Sequence, residues 1–242
     1  MCCLAWLHWI VDGAEAWGPV GVILRVTMIQ LHYFPGNASF IPHLLLEELG
    51  VPFELCCVDH AKSAHKSPEY RKLNPNGQIP VLVNGDLVLY ETAAICLYLV
   101  DQLPQAGLAP AQGSVERAHF KKWLMWFTNS VQATLMLYFY PERWVDEGNS
   151  VGAVQVKAHA EAKVGLMLDQ IEGQLALHGK AWFLGDGYGA LDAWAFLMGR
   201  WSRFFARPAR SLPRYGAYLE RMLARPAMQR VVSKEKLVAP LV

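Results

Sequence analysis

Two short segments place chemistry-bearing side chains where a helix should begin. In Gly36-Asn37-Ala38-Ser39, an amide and a hydroxyl stand just ahead of an apolar run. A Ser at that point can accept a hydrogen bond from a helix N–H and still donate its own proton. Glu91-Thr92 opens a second helical run. The first turn of a helix leaves unpaired N–H groups and a partial positive charge, so an anion sits well beside the Thr92 hydroxyl and amide. Alternatively, Glu91 and Thr92 only cap their helix. The five cysteines are Cys2, Cys3, Cys56, Cys57 and Cys96, and no pair has metal-ligand spacing. Cys56 and Cys57 are adjacent in an apolar run and would point to opposite faces of a strand. Free buried thiols in a reducing compartment account for the set.

The elements that must position these segments follow from pattern. Ile29 to Phe34 is β-branched and aromatic enough for a strand, and Pro35-Gly36-Asn37 is a turn. Ser39 then caps a helix from Phe40 to Leu49, with Pro42 in its first turn and Gly50 just past its end. Phe53 to Val58 is a second strand, and residues 60–76 form a loop with short helical turns. Val81–Val83 and Leu87–Leu89 flank Asn84-Gly85-Asp86, a hairpin signal, and Glu91 to Val100 is a helix. Residues 102–113 are rich in Pro, Gly, Ala and Gln. Beyond them every period is helical: Val115 to Tyr138, Val151 to Leu177, the nearly all-apolar Asp192 to Phe205, and two helices opened by Pro213 and Pro226. The order predicts an α+β domain over residues 28–105, a linker over 106–113 and an all-α domain over 114–242. Residues 1–27 fit neither a domain nor a secretory signal, since their first Lys or Arg is Arg25. They read as an upstream translation start or accessory tail, or as an amphipathic element that docks on a partner through its three Trp.

Composition excludes several classes. With 53% hydrophobic and 18% charged residues in 242, the chain can bury a sizeable core, which excludes disorder and low complexity. No apolar stretch free of charges and turn formers reaches the ~20 residues that span a bilayer. The formal net charge of +1 hides an asymmetry. Residues 28–105 hold four Lys/Arg against eight Asp/Glu, a balance of −4, whereas residues 106–242 hold 17 against 11, a balance of +6. Most of the excess lies between Arg200 and Arg230. That stretch lacks Lys, is broken by Pro208 and Pro213, and carries Trp and Phe at core-like spacing. It reads as a solvated helix face rather than a nucleic-acid-binding stripe.

The β-α-β, hairpin, α order resembles the glutathione transferases, with Asn76-Gly77-Gln78-Ile79-Pro80 before the hairpin and Glu91-Thr92 after it. The resemblance covers essentially all of residues 28–242. It is closest to the bacterial beta-like branch, whose first strand runs into a Pro-Gly turn followed by a small-residue pair. It implies a thioredoxin-like N-terminal domain followed by an all-α helical-bundle domain. It also implies a cytoplasmic homodimer of detoxifying role, with glutathione as co-substrate and with no metal, nucleic-acid or membrane partner. By the same resemblance Ile79-Pro80 is a cis-proline position where the Ile79 backbone pairs with the cysteinyl part of glutathione, and Gln78 contacts the glutathione backbone. Thr92 takes the γ-glutamyl carboxylate and Glu91 its ammonium. Lys62 matches a basic residue that meets the glycyl carboxylate, or is a solvated loop lysine. Asp192, in the family's helix-capping motif with Gly189 in place of Ser or Thr, is assigned to folding.

Transfer chemistry needs glutathione as a thiolate, yet a free thiol titrates near ~8.5 and is only slightly ionised at neutral pH. Hydrogen-bond donors and a helix N-terminus lower that value. The position matching the beta-branch cysteine is Ala38, which argues against mixed-disulfide chemistry. The adjacent Ser39 hydroxyl is therefore the first choice as thiolate stabiliser, with Asn37 and Tyr33 as reserve donors. A small apolar electrophile would lie between the domains against the helix carrying Trp123, Trp126, Phe127, Tyr138 and Tyr140, with Asn129 and Gln132 as polar interruptions. Two rival readings are glutathione-dependent reduction of disulfides or peroxides, and a non-catalytic glutathione-fold binding module.

Overall fold

The computed structural model describes residues 28–242. The expectations for residues 1–27, Cys2 and Cys3 among them, lie outside the described residues. Strand β1 (Ile29–Tyr33) leads through a turn to α1 (Phe40–Leu49), then to β2 (Phe53–Cys57), α2 (Pro68–Leu73), β3 (Val81–Asn84), β4 (Leu87–Tyr90) and α3 (Thr92–Gln102). The sheet order is β2-β1-β3-β4, with β1 parallel to β2 and antiparallel to β3. The hairpin closes at Gly85, whose φ of 59° suits the tight turn the Asn-Gly-Asp signal predicts. Alternation along β1 buries Leu31 in the main core, and His32 meets Tyr70 of α2 from the other side.

The rest is helical, as the periods predict: α4 (Val115–Trp126), α5 (Ala133–Phe139), α6 (Ser150–His178), α7 (Ala190–Trp201), α8 (Pro213–Leu223) and α9 (Pro226–Lys234). The expected single run from Val115 to Tyr138 is interrupted by a π-helical segment at Phe127–Gln132, a wider turn that re-aims the side chains after it. Every residue of α7 is buried, as its nearly continuous apolar sequence requires. Both carboxylate oxygens of Asp192 accept at its start, from the N–H of Gly189 at 2.7 Å and of Phe183 at 2.8 Å. Burial pushes that carboxyl up to about 6 despite these donors.

Two sequence expectations need qualification. The arginines after residue 200 are not only a solvated face: Arg207, Arg210, Arg214, Arg221 and Arg230 are exposed, yet several of the set are paired across the fold. Arg225 grips Glu48 of α1 through two 2.7 Å bonds, Arg230 and Lys234 pair with Glu47, and Arg207 pairs with Asp169 of α6. Charges of opposite sign, separated in sequence, are thus joined where α9 packs on α1. Nor are all thiols buried. Cys96 is buried and Cys56 half-buried, but Cys57 is exposed, because β2 is the edge strand. Among the described residues, no helix is long and apolar enough to cross a membrane.

Candidate functional site

Strand register brings the chemistry-bearing segments together. His32 pairs with Val81, and Val81 pairs with Tyr90. The turn after β1, the loop before β3 and the start of α3 therefore share one end of the sheet. A cleft of about 620 Å³ opens there between the sheet half and the helices.

Its sheet-side wall is built from Gly36, Asn37 and Ala38, the His60–Lys66 loop, and Asn76 to Ile79. Phe34 to Asn37 forms a turn closed by an Asn37 N–H to Phe34 C=O bond of 3.3 Å, and Gly36 holds the φ of 70° that the turn requires. The helical half grips the Gly36 peptide from both sides. Its N–H donates to Glu235 at 2.7 Å, and its C=O accepts from the Trp201 indole at 2.9 Å. Glu235 is itself buried and holds the buried His43 ring at 2.7 Å. The Ile79-Pro80 bond is cis, as the resemblance implies. Ahead of it, the Gln78 carbonyl accepts from the Tyr70 hydroxyl and the Asn74 amide, both at 2.9 Å. Sequence reasoning missed Tyr70 and Asn74, although Asn74-Pro75-Asn76-Gly77 carries a turn signature.

The predicted thiolate stabilisers separate. Ser39 is fully buried, away from the residues that line the cleft. Its hydroxyl accepts from the Phe34 N–H at 3.2 Å and donates within the turn, with Asn37 Oδ1 at 2.6 Å and Phe34 C=O at 3.1 Å. It makes no cap bond to the helix. Asn37 closes the turn ahead of the helix, its Oδ1 accepting the Ser39 N–H at 2.8 Å. An N–H can only donate, so this bond fixes which amide atom is oxygen. The Asn37 Nδ2 has no partner among the described residues, and Asn37 lines the cleft. The Phe40 and Ile41 N–H groups are already taken by Asn37 and Ala38 carbonyls. Tyr33 faces α1, edge-on to His43, and lies outside the cleft lining. Burial raises its phenol above the usual range.

Glu91 holds a φ of 70°, a conformation that non-glycine residues rarely adopt. Its side chain caps nothing. Thr92 is buried at the first position of α3 and makes no side-chain hydrogen bond among the described residues. Both lie at the shared end of the sheet, beyond the residues that line the cleft itself. Lys62 is not on the cleft. Its side chain is 84% exposed and pairs with Asp59 at 3.2 Å. Lys66, His60 and His65 line the wall instead, the two imidazoles stacked with centroids 4.2 Å apart. Burial, then the neighbouring His60 and cations, push His65 below the usual histidine range.

The helical wall is Gln132, Met136, Phe139, Tyr140, Arg143, Trp201 and Arg203. Of the predicted aromatic stripe only Tyr140 faces the cleft. Trp123 and Phe127 are core, packed edge-on and tilted against Phe183, and Trp126 and Tyr138 are half-buried against that core. Gln132 lines the cleft and Asn129 is exposed elsewhere. Most of the stripe is thus core, as aromatic residues at helical spacing usually are, and only its far end beyond the π segment reaches the cleft. Among the described residues, no Asp, Glu or Cys lines the cleft.

Comparison with known proteins agrees with this geometry. The family model for the glutathione S-transferase N-terminal domain matches residues 27–101. "Glutathione S-transferase GST-4.5" of Xanthomonas campestris pv. campestris is 30% identical over 209 residues, covering 86% of this chain and all of its own length. A glutathione transferase structure from Methylococcus capsulatus aligns with a TM-score of 0.74 at 32% identity, over 87% of this chain and all of its own. A sphingomonad glutathione S-transferase complexed with glutathione aligns with a TM-score of 0.74 at 28% identity, over 86% of this chain and all of its own.

Proposed function

The chain belongs to the glutathione S-transferase family, and we propose that it activates glutathione at the Asn37 amide for transfer to a small electrophile. In its thioredoxin-like half, Thr92 at the α3 N-terminus receives the γ-glutamyl carboxylate and Glu91 the ammonium. The Ile79 backbone pairs with the cysteinyl residue and Gln78 assists. Lys66, rather than Lys62, takes the glycyl carboxylate. This array lays the sulfur against Gly36 to Ala38, where the Asn37 Nδ2–H is a side-chain donor without a partner among the described residues.

The thiol proton leaves to solvent. The thiolate then forms a C–S bond with the electrophilic carbon, and the leaving group departs with its bonding pair. The α1 dipole adds a favourable field, while Ser39 positions Asn37 by donating to its Oδ1. The family reading carries with it a cytoplasmic homodimer with a detoxifying role. A reductase that uses its own thiol is disfavoured, since Ala38 occupies the matching position and no cysteine lines the cleft among the described residues.

The single observation that carries this assignment is the two-donor clamp on Asn37 Oδ1, which leaves the amide nitrogen free at the cleft. A hydrogen bond to a charged group contributes about 1.5–3 kcal/mol. Asn37→Ala should therefore raise the pKa of bound glutathione, read by thiolate absorbance, and lower kcat/KM by about one to two orders of magnitude. Ser39→Ala should have the same sign and a smaller size. Unchanged thiolate absorbance in Asn37→Ala would remove Asn37 from this role.

A further inference from the structure

The cleft carries more positive charge than glutathione needs. Lys66, Arg143 and Arg203 line it together with two histidines, and no carboxylate lines it among the described residues. Elsewhere in the helical half, Arg207, Arg225 and Arg230 are neutralised by Asp169, Glu48 and Glu47, while Arg210 and Arg221 reach main-chain oxygens away from the cleft. Arg143 and Arg203 have no carboxylate partner among the described residues. Arg203 donates one N–H to the Arg200 carbonyl at 3.0 Å, and the Arg143 guanidinium lies 3.9 Å from the Tyr140 ring centroid. Each keeps further N–H donors in a fixed planar fork.

Both arginines stand on the wall opposite the glutathione loops, and Trp201, Phe139 and Tyr140 lie on that same wall. Glutathione's charges are matched on the sheet side, by Thr92, Glu91 and Lys66. A neutral second substrate would cover two guanidiniums without pairing them, which costs free energy. A planar carboxylate matches the fork and an aromatic ring matches the flat apolar surface beside it. We infer that the second substrate is an aromatic electrophile bearing a carboxylate, held by Arg203 and Arg143. The inference rests on the transferase reading and names the substrate class of that site. In the step itself, the thiolate forms the aromatic C–S bond and a halide leaves with its bonding pair, while the carboxylate stays unreacted as the handle.

The test compares a chlorodinitrobenzoate with its methyl ester in steady-state kinetics with glutathione. Each rate is normalised to the uncatalysed reaction, because the ester is intrinsically more electrophilic. The acid should be preferred at least tenfold in normalised kcat/KM, and Arg203→Gln should bring the ratio near one without moving the KM for glutathione. Added salt should erode the preference. Arg143→Gln is the second variant, should the first fail to fold. A wild-type ratio of one or below overturns the inference, as does a rise in glutathione KM in both variants with the ratio unmoved. Calorimetry with dinitrobenzoate and its ester, which have no leaving group, separates the two readings. Preferential binding of the acid without turnover of either chloro compound would remove the transferase reading and keep the anion specificity. Turnover of both without preference would do the reverse.

Discussion

The two walls of the cleft are made by different means. The sheet-side wall is backbone held in place: the Gly36 peptide is clamped by Glu235 and Trp201, and the Gln78 carbonyl by Tyr70 and Asn74. The helical wall is side chains, from Gln132 to Arg203, of which Trp201 alone hydrogen-bonds to the Gly36 turn among the described residues. A wall of fixed peptides can read an invariant ligand. One of free side chains can change its ligand without disturbing the fold. Substitutions behind the first wall should therefore act through stability, and substitutions on the second through recognition.

The largest break in that contrast comes from Glu235. It is 2% exposed and bonds both His43 and the Gly36 N–H. Glu235→Ala leaves a buried imidazole and an amide unpaired, and each unsatisfied buried group costs about 1–3 kcal/mol. Urea unfolding should report a loss of that order, and any folded fraction should have weakened glutathione binding because Gly36 is released. A loss below about 1 kcal/mol would mean that the helical half does not hold the sheet-side wall.

Gly77 probes the same wall at smaller scale. Its φ is 59°, and an added Cβ would stand 2.9 Å from the backbone oxygen of His65, which cannot swing aside. Gly77→Ala should cost about 1–3 kcal/mol and raise the KM for glutathione, since Gln78 follows it. Gly107→Ala is the control. Its φ is 68° with nothing within 4 Å, so it should be destabilised less and bind glutathione unchanged.

The same division governs what the sequence made legible. Every strand and the Glu91-Thr92 helix start were readable, because turns and caps are local and use few residue types, and the cis-proline position followed from the family resemblance. Asn37 was readable as a donor, but that it lines the cleft while Ser39 is buried was not. Which of two adjacent side chains faces a cleft depends on the turn: here Ser39 folds back onto Phe34. Lys66 was hidden by the irregular 60–67 loop, where neither period two nor period 3.6 says which lysine faces in. The helical wall was legible only at Gln132 and Tyr140, because helical period alone does not separate a core aromatic from one that lines a cleft. Arg143 and Arg203 were lost among the arginines, whose partners lie more than 30 residues away in sequence.

Acid should loosen the joint between the halves. Burial pushes the Glu47 carboxyl up, but hydrogen bonds from Arg230 and Lys234 outweigh it and hold it below the usual glutamate range. A carboxyl lowered in the folded state contributes stability that is fully present above its unfolded pKa, near ~4.3, and is lost as pH falls through the folded value. Stability should thus be flat near neutrality and fall in acid, and Glu47→Gln should flatten that acid limb. An acid limb unchanged by Glu47→Gln would place the titration elsewhere.

The smallest expected effect sharpens the contrast most economically. Lys62 and Lys66 sit four residues apart in one loop, and only Lys66 lines the cleft. Lys62 is engaged with Asp59 at the surface, an arrangement that contributes little to stability. Lys62→Ala should leave the KM for glutathione within about twofold and the melting temperature unmoved. Lys66→Ala should raise that KM by about tenfold, the loss of one charge-assisted contact to a carboxylate. Equal effects at the two positions would mean that the glycyl carboxylate responds to the charge of the whole loop. The sheet-side wall would then recognise glutathione partly by diffuse electrostatics, and its difference from the helical wall would narrow to the backbone between Gly36 and Ile79.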